Sequence, residues 1–289
     1  MDEIRTRTVR TSDGIDLAVF EQGPAEADTV VLVHGYPDNH TVWDGVAALL
    51  AEDHHVVRYD VRGHGASQSP ASTAGYGLPQ LSADLRSVIE ATSPDRQVHL
   101  VAHDWGSIQS WESVLDPAFE PLLRSYTSIS GPSLDAAAVW LRRAPFHIRD
   151  GLKQLAASYY VFAFQLPRLP EAAVRSGVLD KAVNHSANIG ITDPERRVRG
   201  RRPERDLISG LELYRSNFVR RMLRPRLQVS QVPTQVLAPT DDAHVTVALQ
   251  TQAPVPYVSD YRWEEIPGNH WVVEHEPAMI AEKIRAFID

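Results

Sequence analysis

The sequence predicts an α/β fold built on a mostly parallel sheet, and three observations lead there. Runs such as Thr29–Val33 and 98–102 are short and almost wholly apolar, as strands buried on both faces are. Amphipathic segments of helical period lie between such runs. Strand runs then stop from about residue 131 to 228 and resume afterwards. A helical insertion inside a parallel sheet reads as a cap over the strand ends, where ligands bind in open α/β sheets.

In chain order, Arg5–Arg10 and 16–21 predict two strands joined at the turn Ser12-Asp13-Gly14. Thr29–Val33 is the third strand and runs into His34-Gly35-Tyr36-Pro37. Residues 42–52 place Trp43, Val46, Leu49 and Leu50 on one helical face. His55–Tyr59 is a strand closed by the loop from Asp60 to Ser67. A helix over 78–91, a strand over 98–102, a helix from 107 to 115 and a strand over 124–130 follow. Helices are expected over 136–143, 151–165, 171–179 and 206–223 in the insertion. Strands over 234–238 and Tyr261–Ile266 and a helix over Pro277–Ile288 complete the pattern. The expected domains are a core of residues 1–130 and 229–289 and a helical cap of residues 131–228.

Composition narrows the function. With 289 residues, 43% of them hydrophobic, the chain can bury a large core. A net charge of −8 argues against general binding to nucleic acid or anionic membranes. The lack of cysteine excludes disulfides, zinc–thiolate sites and cysteine nucleophiles. Met1-Asp2-Glu3-Ile4-Arg5 is no apolar signal, and no run approaches the ~18 apolar residues of a membrane span. A soluble cytoplasmic protein, monomeric or homodimeric, is the expectation. The arginine-rich run from Arg196 to Arg205 reads as a solvated cap loop rather than a contact for acidic partners.

The chemistry concentrates at Ala102-His103-Asp104-Trp105-Gly106. A strand precedes it and a helix follows, the setting of a nucleophile elbow, but the central residue is aspartate. A carboxylate can displace a leaving group from saturated carbon and become an alkyl ester. Such an ester needs an oxyanion hole and a base for its hydrolysis. The backbone N–H of Trp105, after the nucleophile, and of Tyr36, in the early loop, are the expected donors. Gly35 permits a backbone twist there, and Pro37 fixes the exit. The base is expected on a late loop after a strand, where Ile266-Pro267-Gly268-Asn269-His270-Trp271 offers His270; His275 is its competitor. His34 and His103 are expected to brace loops. The strand at 234–238 ends near two aspartates, and Asp242 fits the role of orienting His270 better than Asp241. One of the two is also suited to an Asx turn or helix cap.

These motifs resemble the α/β-hydrolase superfamily, specifically its epoxide hydrolase branch. His34-Gly35-Tyr36-Pro37 is similar to its oxyanion motif, the Asp60–Ser67 stretch to its Asp-x-Arg-Gly-x-Gly-x-Ser loop, and His103-Asp104-Trp105-Gly106 to its aspartate elbow. The resemblance implies an eight-stranded, mostly parallel sheet with helices on both faces and an inserted helical cap. It implies two cap tyrosines that protonate the epoxide oxygen: Tyr160, before Phe164-Gln165-Leu166-Pro167, and Tyr214, in Tyr214-Arg215-Ser216-Asn217. Adjacent helical residues point about 100° apart, so only one of Tyr159 and Tyr160 can face the site. The expected reaction gives a vicinal diol from a small apolar epoxide, with no cofactor or metal. Pro37 and Phe164 are expected to touch substrate, and Trp140, Phe146 and Phe162 to add to an apolar pocket. Ser107 departs from the glycine often found there and is expected to alter helix packing below the nucleophile. The chain also resembles the hydrolase portion of proteins fused to a short-chain reductase, which makes a downstream reductase domain a candidate partner.

Two rivals remain at this stage. The same ester route serves haloalkane dehalogenation, although that family usually carries asparagine at the position of Tyr36 and lacks the paired cap tyrosines. The other is a catalytically silent binding module, against which stands the full set of motif residues.

Overall fold

The computed structural model describes residues 4–198 and 202–289. Its strands are β1 (Arg5–Arg10), β2 (Asp16–Gln22), β3 (Thr29–Val33), β4 (His55–Tyr59), β5 (Val98–His103), β6 (Leu123–Ile129), β7 (Thr234–Pro239) and β8 (Tyr261–Ile266). They form one eight-stranded sheet in the order β1-β2-β4-β3-β5-β6-β7-β8. Only β2 runs antiparallel to its neighbours.

Residues alternate across the pleat and so supply two cores. Val31, Val33, Val57 and Leu100 pack with α2 (Leu78–Thr92) and α3 (Trp105–Val114). Val30, Leu32, Val56 and Val101 pack with α1 (Asp44–Leu50) and with the last helix, Pro277–Ile288. This is why β3 and β5 are buried at every position rather than at alternate ones. The loop after β4 is held from within. The Ala66 N–H donates to Asp60 Oδ2, and the buried Arg62 guanidinium pairs with Asp84 and Asp13.

Between β6 and β7 the chain is helical: α4 (Leu134–Arg142), α5 (Ile148–Ala157), α6 (Tyr159–Phe164), α7 (Leu169–Arg175), α8 (Val178–Ala187) and α9 (Glu204–Leu223). Two expected helices are in fact four. The expected helix over 151–165 breaks at Ser158, and the one over 171–179 ends before Gly177, whose φ of 73° only glycine adopts freely. After β7 come α10 (Val247–Gln252), α11 (Val272–His275) and α12 (Pro277–Ile288).

The arginine run is not a free solvated loop where it is described. Arg196 pairs with Glu276, Arg202 Nε donates to Asp38 Oδ1 at 2.8 Å, and Arg205 donates to the Ser67 carbonyl. Arg199 and Arg201 lie outside the described residues, as do Met1, Asp2 and Glu3. No helix among the described residues is long and apolar enough to cross a membrane.

Candidate active site

Asp104 alone turns the chain from β5 into α3, at φ 52° and ψ −125°. Such a conformation costs a non-glycine residue about 1–3 kcal/mol, so the surroundings must impose it. They do so by close approach. A Cβ added to Gly106 would lie 2.3 Å from the Val33 carbonyl oxygen, and one added to Gly131 would lie 2.2 Å from that of Asp104. Ser107 supplies a further tie between α3 and β6. Its Oγ lies 2.7 Å from both Tyr126 Oη and Ser128 Oγ and donates to the Gly131 carbonyl at 2.6 Å.

The structure brings Asp104, His270 and Asp242 together. His270 Nε2 stands 3.3 Å from Asp104 Oδ2, and its Nδ1 stands 3.0 Å from Asp242 Oδ2. The Tyr36 N–H donates to Asp104 Oδ1 at 2.7 Å. Trp105 N borders the same space: a Cβ on Gly35 would fall 2.5 Å from it and 2.3 Å from Asp104 Oδ1. The Tyr36–Pro37 peptide is cis. Asp242 fills both aspartate roles at once, because its Oδ1 accepts the His244 and Val245 N–H groups at 2.8 and 2.9 Å. Asp241 is exposed. His275 is occupied by the carbonyls of Ala187 and Arg196. His103 Nε2 donates to the His270 carbonyl at 2.7 Å, and His34 Nε2 accepts the Val61 N–H at 2.9 Å; both brace loops.

Burial alone would lower the His270 pKa, but the Asp242 and Asp104 carboxylates outweigh it and raise the imidazolium to about 10. Burial would raise Asp242, yet the His270 charge and hydrogen bond hold it down to about 2. Burial, reinforced by Asp104, pushes the Tyr160 and Tyr214 phenols well above their ordinary range. Both therefore stay protonated donors at any working pH.

Above Asp104 lies a cavity of about 450 Å³. Tyr36, Pro37 and His270 line it from the sheet side, and Tyr160, Phe164 and Tyr214 from the insertion. The Tyr214 ring centroid lies 4.8 Å from Trp105, 5.6 Å from Tyr36 and 5.0 Å from Phe164. Tyr160 joins the cluster 5.5 Å from Phe164, while its neighbour Tyr159 is largely exposed at the rim. Three other expected pocket aromatics lie elsewhere. Trp140 is buried against Val245 and Leu249, and Phe146 and Phe162 face outward. Side-chain period cannot separate the two sides of a short helix whose partner is unknown.

Three contributors escaped sequence reasoning. His244 lies 4.9 Å from the His270 ring and 5.4 Å from Tyr160, with Nε2 2.9 Å from Ser186 Oγ. Burial and the nearby His270 charge lower its pKa to about 4, so it is neutral near pH 7. Gly210 lets α9 lie directly on Tyr36, whose hydroxyl donates to the Leu207 carbonyl at 3.1 Å. The one signal for it was a glycine inside a helical pattern. Asp38 joins Arg202 of the insertion to the indole N–H of Trp271, beside His270.

Residues 28–188 match the family model for the alpha/beta hydrolase fold. The probable oxidoreductase EphD of Mycobacterium tuberculosis is 30% identical over 98% of this chain and 49% of its own length. The chain thus spans about half the length of that relative. Epoxide hydrolase 2 of Caenorhabditis elegans is 24% identical over 95% of this chain and 78% of its own length. Among solved structures, an epoxide hydrolase from hot-environment metagenomes superposes with a TM-score of 0.82 at 20% identity, covering 99% of both chains. A mutant epoxide hydrolase from Bacillus megaterium complexed with its product gives 0.79 at 20% identity, covering 98% of this chain and 99% of its own.

Proposed function

From the chain's membership of the α/β-hydrolase fold family, we infer that it opens epoxides to vicinal diols through an ester on Asp104. The observation that carries this is a carboxylate at a strained elbow, in a cavity shared by the His270–Asp242 pair, the buried Tyr214 and the half-buried Tyr160. The names of relatives such as epoxide hydrolase 2 point the same way. Residues 131–228 act as a cap over a core of 1–130 and 229–289, a reading supported by a cavity lined from both. The half-length match to a probable oxidoreductase supports a reductase domain beside this one.

Asp104 Oδ1 is held by the Tyr36 N–H, which leaves Oδ2 to attack an epoxide carbon. The carbon–oxygen bond breaks, and Tyr160 and Tyr214 donate to the departing alkoxide, which is more basic than an ordinary phenolate. Ester formation removes the Asp104 charge and with it one of the two carboxylates that keep His270 protonated. His270 then gives up its proton more readily; the proton restores the phenol that donated to the alkoxide, and neutral His270 can serve as base toward water. Water adds to the ester carbonyl carbon, His270 takes its proton, and the new oxyanion on Oδ1 meets the Tyr36 and Trp105 N–H groups. Collapse breaks the bond between the Asp104 carbonyl carbon and the substrate oxygen, and protonated His270 gives that oxygen its proton. The diol leaves as the new carboxyl group of Asp104 ionises back to the carboxylate, with His270 taking up its proton.

A panel of aliphatic and aromatic epoxides, assayed for diol with Asp104→Ala as control, tests the reading. Activity that survives this substitution sinks it. One observation favours a second reading: the buried Trp105 indole, 4.8 Å from the Tyr214 ring and next to Asp104, carries an N–H that could turn to a halide. Halide release from haloalkanes without epoxide turnover would replace the first reading with dehalogenation.

A further inference from the structure

Helix α5 is amphipathic the wrong way round. Its buried side carries Gly151 and Gln154, and Gln154 ties it to the His244 carbonyl and to Thr246. Its outward side carries Ile148, Leu152 and Leu155, spaced to share one face and all exposed. Phe146 before it, 90% exposed, and Tyr159 and Phe162 after it extend the surface. Residues 146–169 hold eight of the sixteen exposed large apolar side chains among the described residues. Soluble monomers seldom leave so much contiguous apolar surface bare, so something covers it.

The charges around this face identify the cover. Along the chain, residues 142–169 contain Arg142, Arg143, Arg149, Lys153 and Arg168 against Asp150, an excess of +4, and Glu265 shares a groove with Asp150 and Lys153. The chain as a whole carries −8, which leaves −12 on the remainder. A second copy related by a two-fold axis would set these cations against their own equivalents. An anionic surface with apolar material beneath satisfies both the cations and the exposed side chains. The negative remainder is repelled by such a surface, so the molecule is oriented as well as bound. The cavity opens on the same side, since Ala156 and Tyr159 line it.

We propose that the α5–α6 face docks on an anionic lipid surface, with Ile148, Leu152, Leu155 and Phe162 among the headgroups and Arg149 and Lys153 at the phosphates. The cavity mouth then faces lipid, and a substrate with a long apolar tail enters without crossing water. The overall negative charge argues against unspecific membrane binding but does not describe this face. The docking does not rest on the epoxide reading, and its test reads binding rather than turnover.

The test is co-sedimentation of the full chain with vesicles of phosphatidylcholine alone and of phosphatidylcholine mixed with phosphatidylglycerol. The wild type should sediment with the mixed vesicles and be released by salt, which screens the headgroup attraction. Arg149→Gln with Lys153→Gln should weaken binding roughly 30-fold, about fivefold per charge. Leu152→Ser with Phe162→Ser should weaken it as well. All four side chains are exposed, so thermal melts should show each variant folded. A wild type left in the supernatant with mixed vesicles overturns the proposal, as does binding that neither pair of substitutions weakens. A dimer dispersed by Leu152→Ser with Phe162→Ser, in protein that ignores vesicles, assigns the face to a second copy instead.

Discussion

Replacing Gly210 with alanine should leave the protein folded and strip most of its activity. Alanine in a helix interior ordinarily gains about 0.5–1 kcal/mol over glycine. Here the new Cβ would lie 1.9 Å from Tyr36 Cδ2 and 2.3 Å from Cε2. Ordinary contact begins near 3.4 Å, so α9 and the Tyr36 ring must part by about 1.5 Å, at an overpacking cost of about 1–3 kcal/mol. The balance runs from near zero to a loss of about 2.5 kcal/mol, which a domain of this size survives. The displacement matters more than the energy. Tyr214 sits one helical turn beyond Gly210, over Trp105, and Tyr36 carries the N–H bound to Asp104. Misplacement on the order of 1 Å at a reacting centre costs roughly 10²-fold in rate. Steady-state kinetics on an epoxide, with a thermal melt, reads both effects. A variant with a raised melting temperature and undiminished kcat would refute the reasoning, since that is how a glycine under no packing constraint behaves.

Three further predictions concern the carboxylates, histidine and phenols. In His270→Gln the Asp104 ester should form but not hydrolyse, so intact-protein mass spectrometry should find the chain heavier by one substrate; unmodified protein counts against the ester route. Because the folded His270 pKa lies above its unfolded value of about 6.5, its contribution to stability is complete below that pH and fades as pH rises toward 10. Urea titrations should therefore show the wild type losing up to a few kcal/mol over this range, and His270→Gln losing distinctly less. The lowered Asp242 works in the opposite sense, its contribution disappearing as pH falls from about 4 toward 2. Tyr160→Phe and Tyr214→Phe should each lower kcat about 10²-fold on epoxides with little change in melting temperature; full activity in both would remove the phenols from the reaction.

What the sequence disclosed followed from how strongly each feature constrains local residue choice. The strands were legible to within one residue; in the sheet centre this is because burial on both faces demands mostly apolar runs, as in Thr29–Val33, and at the exposed edge the turn Ser12-Asp13-Gly14 marks where Arg5–Arg10 ends. The elbow was legible because its turn needs small neighbours at Ala102 and Gly106, and the late His270 because a loop after a strand delivers it. The insertion was legible only as helix. Its breaks at Ser158 and Gly177 depend on packing between short helices, which leaves no periodic trace. For the same reason Phe146 and Phe162 read as pocket residues although they face outward. Arg202 and His244 stayed hidden because their partners, Asp38 and Ser186, are distant in the chain and carry no motif.

The Arg202–Asp38–Trp271 contact makes the insertion and the loop that carries His270 parts of one clasp. Asp38 is buried, and the Arg202 charge and the Trp271 indole together outweigh its burial and keep it ionised. Lifting this edge of the insertion would strand that charge and loosen the residue next to His270. One edge of the insertion is therefore latched, through Asp38, to the loop that carries His270.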